Sequence, residues 1–562
     1  MTDAPGAPRH RLEWVLFILT IGITLRFQGL DWDAGHLFNP DERNLAHGAA
    51  ALAFPHGFVP QFHAYNGLAL YLPRALAELI ALFAGGEGNH AAEVVFAGRV
   101  LSALWSSLSL LLILSIARRL CSPNVALLAL LCAAFTPALV QTAHFATTEA
   151  ALILCLLVII RLSVAHMEGQ LSLSQLAAWA GLATGIGFGF KTTALIFAVC
   201  PILAVMDTTV LRGKIMPALM AGLVATIITF ILALITTPQI WALPGVYFAT
   251  MQFENAIVTG AADVYWTYQF HDAIPLLYEL WQLPYLMGPV AAVLGLGGLG
   301  LAMLLLASGG GRTARLAIPA IGFTLIYGAI IVGWHARFVR YLLPIIPLLL
   351  IFAASLVSRI PSGAGRKAIA LLLAAGTIIP GLLQAAVYQV PDPRLTAWKW
   401  LAPRIGDGRL VVEVHDVGPE YWVAQSGRPG LALPLLDPST ADKPWRIAEM
   451  LAEGDWMIVA SRRHHGVLPH MRARFPEMCG YYDALWSERL GYQRIATFKR
   501  SFYPPMAERA EETLTVFDSP QVIILQKIAS LSVDRLVEEI TRSTSSCPDQ
   551  YSDRRDKGNA HA

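Results

Sequence analysis

The sequence predicts a polytopic α-helical membrane protein of about eleven spans that ends in a small α/β domain outside the membrane. Three observations predict it. The chain is 55% hydrophobic and 14% charged, whereas a water-soluble chain carries about 25% charged residues. Its apolar residues fall in runs close to the ~20 residues that cross a hydrocarbon core as a helix. From residue 389 these runs give way to short strand-like stretches between polar helices.

The candidate spans are 14–30, 99–117, 124–142, 148–165, 175–190, 192–206, 215–236, 284–307, 316–334, 341–358 and 368–388. The first follows Arg9-His10-Arg11 and ends at Leu25-Arg26-Phe27-Gln28-Gly29-Leu30, without a small-x-small cleavage pattern, so it reads as an uncleaved anchor. The stretch 66–84 is apolar but interrupted by Pro73, Arg74 and Glu78. Charge decides its placement. Laid on the surface as an interfacial helix, it lets Arg9, Arg11, Arg118, Arg119, Arg212, Lys214, Arg312, Arg315, Arg359, Arg366 and Lys367 share one side. Loop 237–283, which has no Lys or Arg, then falls on the other. This puts residues 1–13 in the cytoplasm and 14–388 in the cell's inner (plasma) membrane. Loop 31–98, the 143–147 turn, Lys191, loop 237–283, the 335–340 turn and everything after 389 lie on the periplasmic or extracellular side.

The region 389–530 reads as a soluble α/β domain. Strands are expected at Leu410–Val414, Trp456–Ala460 and Tyr492–Phe498, helices at 394–403 and 439–452, and a hairpin of 514–517 with 522–525 about Asp518-Ser519-Pro520. Residues 531–562 form a polar tail, expected to be disordered at its end. Cys121, Cys132, Cys155 and Cys200 lie in or beside spans, whereas Cys479 and Cys547, if exported, are available to pair. No zinc-type Cys/His spacing occurs, and a net charge of +2 gives no reason to expect nucleic acid.

Charge at the ends of apolar runs marks the candidate chemistry. In Asn39-Pro40-Asp41-Glu42 the Asn suits an N-cap, the Pro the first helical position and the acids the first turn. Adjacent helical residues point about 100° apart, so one acid can face a reacting group. Asp41 is the expected general base, with Glu42 orienting it or serving the fold. Glu149 opens an apolar run, where a lone charge is costly, so it faces a wet cavity or pairs with a cation. Lys191, between two short apolar runs, raises the same question. Arg337 and Arg340, three apart, would share one helical face and suit a phosphate; snorkelling to lipid headgroups is the plainer use of such residues. His144, Tyr65 and Trp266 are candidates for substrate contact. An interfacial aromatic belt also explains much of the aromatic content of loop 237–283.

These stretches, in this order, resemble the type-C (GT-C) membrane glycosyltransferases, and within them glycosyltransferase family 39, the dolichyl-phosphate-mannose-protein mannosyltransferase-like group. The resemblance is carried by Phe38-Asn39-Pro40-Asp41-Glu42-Arg43, by Ala143-His144-Phe145-Ala146-Thr147-Thr148-Glu149, and by Gly181-Leu182-Ala183-Thr184-Gly185 leading to Lys191. Arg340-Tyr341-Leu342-Leu343-Pro344 and Val516-Phe517-Asp518-Ser519-Pro520-Gln521-Val522 complete it. The resemblance implies a GT-C-like fold, a polyprenyl-phosphate-linked sugar as donor, and inverting transfer to a hydroxyl on a protein, lipid or glycan at the outer membrane face. It implies Asp41 as base, and Glu149, where many relatives have Asp, as the acid that positions donor or acceptor. Lys191, Arg337 and Arg340 would bind the donor phosphate. Some type-C enzymes use a divalent metal and others none; no His/Asp/Glu cluster in this sequence marks one.

Two other classes fit the composition: a transporter or flippase for a lipid-linked saccharide, and a non-catalytic relative acting in envelope assembly. The first lacks an inverted repeat and matched Gly/Pro-broken spans, and the charges gather at one face. The retained Asp41 and arginines weigh against the second.

Overall fold

The computed structural model describes residues 8–85, 87–413, 419–500 and 509–542. Each of the eleven predicted apolar stretches is helical. Among the described residues seven helices are long and apolar enough to cross a membrane, and eight if the bent pair Pro123–Phe135 and Pro137–Ala143 forms one span; Ile318–Val332 is a shorter apolar helix. The 54° bend of that pair falls at Pro137, which has no N–H to continue the ladder; Thr136 turns its hydroxyl back to the Cys132 carbonyl at 2.7 Å. The helix Ala364–Val387 crosses this bend at Gly381, where any Cβ would collide with the Phe135 carbonyl.

Two spans begin irregularly. Thr192–Ala198 and Val339–Ile345 are 3-10 turns that lead into the α-helices Val199–Thr208 and Ile346–Arg359. Both openings lie at the same end of the bundle as the start of Glu149–Met167, the helix they pack against. By helical rise the far end of Glu149–Met167 is about 27 Å away. There Arg119 meets Glu168 at 3.4 Å and Arg315 grips Asp207 at 2.7 and 2.8 Å, so charges predicted to share one membrane side do meet at one end.

The first loop contains the helix Pro40–Ala50 and then Leu68–Ala84, whose Leu72, Leu79, Leu82 and Phe83 are exposed. An apolar exposed stripe beside a bundle end suits the interfacial position expected for 66–84.

The C-terminal region forms a five-stranded sheet. Its strands are β1 Leu410–Glu413, β2 Leu431–Leu433, β3 Trp456–Val459, β4 Tyr492–Phe498 and β5 Val522–Lys527, in the order β2-β1-β3-β5-β4. β1 pairs parallel with β2 and β3; β5 runs antiparallel to β3 and β4. Pro393–Ile405 packs on one face and Lys443–Glu453 on the other, with both faces of β1 and β3 buried. The helix Val533–Thr541 packs on Lys443–Glu453 and Pro476–Trp486, within the stretch read as a tail; residues 543–562 lie outside the described residues. Cys479 is disulfide-bonded, and Cys547 also lies outside the described residues.

The expected hairpin is corrected. Residues 512–514 form a 3-10 turn, and 515–518 continue as turns. This segment is drawn away from the sheet by the membrane bundle: Gln141 donates to the Leu514 carbonyl at 2.8 Å and to Asp518 at 3.0 Å, and Tyr388 donates to Asp518 at 2.6 Å. Buried apolar residues there have a helical bundle, not a strand, as their partner.

Candidate active site

The site starts from a capped helix. The Asn39 side chain accepts the Asp41 N–H at 3.0 Å and Pro40 takes the first helical position, as the local sequence predicts. The two acids that follow diverge. Glu42 turns inward and is fully buried; its carboxylate accepts from Arg99 at 2.9 and 2.7 Å and from the Ala146 N–H at 2.5 Å. Asp33 accepts from the Arg99 guanidinium through two bonds of 2.9 Å and the Leu30 carbonyl through another of 2.9 Å, and Arg99 lies 4.5 Å over the Trp32 ring. Burial raises the Asp33 carboxyl, but Arg99 and the N–H groups of Gly35 and Phe38 outweigh it and hold it below its ordinary value. For Glu42 burial prevails over Arg99, and the carboxyl is raised. The first loop is thus tied to the bundle and to the 143–147 turn at its base.

Asp41 points the other way, into a cleft, where it pairs with Arg340; both side chains are 27% exposed. Arg340 lies over the rings of Phe338 and Tyr341 at 4.8 and 5.8 Å. Its Nε is buried without an acceptor among the described residues. Glu149 occupies the first turn of Glu149–Met167, where a carboxylate complements the helix dipole. Lys191 Nζ lies 3.8 Å from the Glu149 carboxylate and 5.1 Å over the Tyr65 ring.

The cleft has two adjoining recesses that share Glu149, Arg340 and Leu343. One, about 440 Å³ with its open mouth, adds Lys191 to an apolar wall of Leu152, Phe197, Tyr327 and Trp334. The other, about 500 Å³ on the same measure, is lined by Asp41, Asn39, Phe145, Thr147, Thr513 and Phe517. Thr513 and Phe517 belong to the C-terminal region, so the sheet domain supplies a wall of the cleft. Glu511 anchors that wall: it accepts from Gln269 at 2.9 Å and from the Val339 N–H at 3.2 Å, next to Arg340.

Among the sequence candidates, the structure brings together Asp41, Glu149, Lys191, Arg340 and, beneath Lys191, Tyr65. It does not bring Arg337, His144 or Trp266 to the cleft. The shared helical face expected for Arg337 and Arg340 is corrected. The preceding helix ends at Val332, and the N–H groups of His335 and Ala336 turn to the Val258 carbonyl, so Arg337 precedes the 3-10 turn that carries Arg340. Arg337 instead pairs with buried Glu279. His144 is buried with its ring stacked 3.6 Å from Tyr388 and its nitrogens 2.8 Å from the Val140 and Gln28 carbonyls. Burial pushes its pKa down to about 4, with Arg99 and Arg26 adding to the effect and the two carbonyls opposing it. Trp266 packs edge-on to Tyr265 and against the cluster of Phe270, Ala336 and Phe338.

Three elements escaped the sequence reading. Arg99 is a charge in an apolar helix, which is the signal that a buried partner exists, but its partners lie 57 and 66 residues away. Glu254, on the helix Pro244–Thr259, is raised by burial and feels Lys191, Arg340 and Asp41; it is the one acid in residues 237–262. The third is the wall of Thr513 and Phe517. Among the described residues no group of three or more His, Cys, Asp or Glu side chains is arranged to hold a metal ion.

Fold and motifs together define a polytopic helical protein with a C-terminal α/β domain. The family it resembles is described as dolichyl-phosphate-mannose-protein mannosyltransferase, whose model matches residues 90–241; that segment contains Arg99, Glu149 and Lys191, while Asp41 and Arg340 flank it. No curated protein matches the chain. Among solved structures, the apo Archaeoglobus fulgidus oligosaccharyltransferase is 13% identical, over 85% of this chain and 72% of that one, with a TM-score of 0.49. ArnT from Cupriavidus metallidurans, bound to undecaprenyl phosphate, is 15% identical over 91% and 98%, with a TM-score of 0.46. The arabinofuranosyltransferase AftD from Mycobacteria is 15% identical over 92% and 40%, with a TM-score of 0.38.

Proposed function

We propose that the protein moves a sugar from a polyprenyl-phosphate donor to a hydroxyl acceptor at the outer face of the membrane, with inversion at the anomeric carbon. The observation that carries this reading is a pair of carboxylate–cation contacts, Asp41 with Arg340 and Glu149 with Lys191, in one cleft with an apolar wall. Glycosyl transfer from a phosphate needs that set: a base for the acceptor, an anion near the electron-poor anomeric carbon and cations for the leaving group.

In this scheme the donor phosphate lies between Lys191 and Arg340, with its prenyl chain along Leu152, Phe197 and Trp334. The acceptor enters the recess of Asp41, Phe145, Thr513 and Phe517. Asp41 accepts the hydroxyl proton as the hydroxyl oxygen bonds to the anomeric carbon from the face opposite the phosphate. The bond from that carbon to the phosphate oxygen breaks, and the oxygen leaves with the electron pair. Glu149 offsets positive charge at the ring; the guanidinium and ammonium groups offset negative charge on the phosphate. A positioned base contributes typically about 10²–10⁴-fold.

Two features support the membrane side. Loop 237–283 carries no Lys or Arg, and a disulfide at Cys479 suits an oxidising compartment. Membranes containing the protein, supplied with a panel of radiolabelled polyprenyl-phosphate sugars, test the proposal. It expects label to leave one donor and appear in an acceptor. Failure of every donor, with unchanged lipid-linked sugar pools in a deletion strain, would refute it.

A further inference from the structure

We propose that the donor phosphate unmasks the base: Arg340 holds Asp41 in the donor-free protein, and the arriving phosphate takes Arg340 and releases the Asp41 carboxylate to the acceptor. The proposal rests on the reading of Arg340 and Lys191 as the phosphate site and of Asp41 as the base. Five observations lead to it.

Both cations lining the cleft are already matched. Arg340 pairs with Asp41, and Lys191 stands 3.8 Å from Glu149. The Asp41 oxygen that accepts from Arg340 is not open to the acceptor's hydroxyl. When these pairs exchange, the phosphate gains a cation and Asp41 a second open oxygen.

The geometry allows that exchange. Arg340 stands on the wall common to both recesses, Lys191 lines only the first and Asp41 only the second. A phosphate entering beside Lys191 therefore reaches Arg340 from the side away from Asp41. The guanidinium has capacity to receive it, because its buried Nε has no acceptor among the described residues. Two phosphate oxygens can bind a guanidinium as a fork, which the single Asp41 contact through Nη1 does not do.

The partners are also free to separate. Each is 27% exposed, so parting them opens no core. Asp41 stays in place once released, because its backbone is fixed by the Asn39 cap and its neighbour Glu42 is fixed by Arg99. The carboxylate then remains in the recess of Phe145, Thr513 and Phe517, where the acceptor is expected. Donor must accordingly precede acceptor.

Binding of undecaprenyl phosphate, without sugar, to the full-length protein in nanodiscs tests the exchange. If Asp41 competes for Arg340, Asp41→Asn binds the lipid roughly tenfold tighter than wild type, Asp41→Glu does not, and Arg340→Gln binds it more weakly. Unchanged or weaker binding by Asp41→Asn, with Arg340→Gln still impaired, overturns the exchange and leaves the phosphate site standing. Unchanged binding by both Arg340→Gln and Lys191→Gln overturns the phosphate site, and the exchange with it.

Discussion

Arg99 holds Glu42 through two hydrogen bonds of 2.9 and 2.7 Å, deep in the base of the first loop. The neighbouring Asp41 can face the cleft because Glu42 does not. Arg99→Met would leave Glu42 and Asp33 buried without their cation, and loss of one partner from such a pair costs about 3–5 kcal/mol. Thermal melting of the purified protein should show a large drop in melting temperature. Arg99→Lys should recover little of it, since an ammonium cannot make both forks. A melting point equal to wild type for Arg99→Met would contradict the role.

Phe517 should act on the acceptor and not on the donor. It lines the second recess and sits edge-on to Phe145 at a ring separation of 6.4 Å. Phe517→Ala removes an aromatic contact worth about 0.5–1.5 kcal/mol, so the acceptor KM should rise roughly 2–13-fold. Polyprenyl-phosphate binding should stay the same. A donor-binding defect with normal acceptor KM would assign Phe517 to the other recess.

His144 predicts a pH dependence of stability. Its folded pKa of about 4 lies below the ordinary histidine value, near 6.5 in an unfolded chain. The fold therefore favours the neutral ring. Its contribution is fully present above about pH 6.5 and is lost as the pH falls from there towards 4. His144→Gln should flatten the slope of melting temperature against pH across that window, whatever its effect on the absolute value. An unaltered slope would show that His144 is not the titrating group.

The Cys479 disulfide is readable by mass. Denatured, unreduced protein should accept two fewer maleimide–polyethylene glycol adducts than reduced protein, while Cys121, Cys132, Cys155 and Cys200 react in both. Equal numbers of adducts would show that the bond does not form in the cell.

The legible parts of the molecule were those with local causes. Helix positions followed from apolar length, and the Asn39–Pro40 helix start from capping chemistry. Glu149 and Lys191 stood out because charges at the ends of apolar runs need partners, and they lie near each other. Arg99 was hidden because its partners are distant in sequence and its helix reads as an ordinary span. Arg337 misled because a spacing of three means a shared face only inside a helix, and that turn begins at Val339. Residues 514–517 misled because apolar burial against a bundle looks, in sequence, like burial in a sheet.

The most direct test is single-turnover transfer from the competent polyprenyl-phosphate sugar, with wild type and Asp41→Asn compared at equal folded protein. Asp41→Asn should bind the donor yet lose transfer by about 10²–10⁴-fold. Transfer at the wild-type rate by Asp41→Asn would show that Asp41 is not the base and contradict the proposed chemistry.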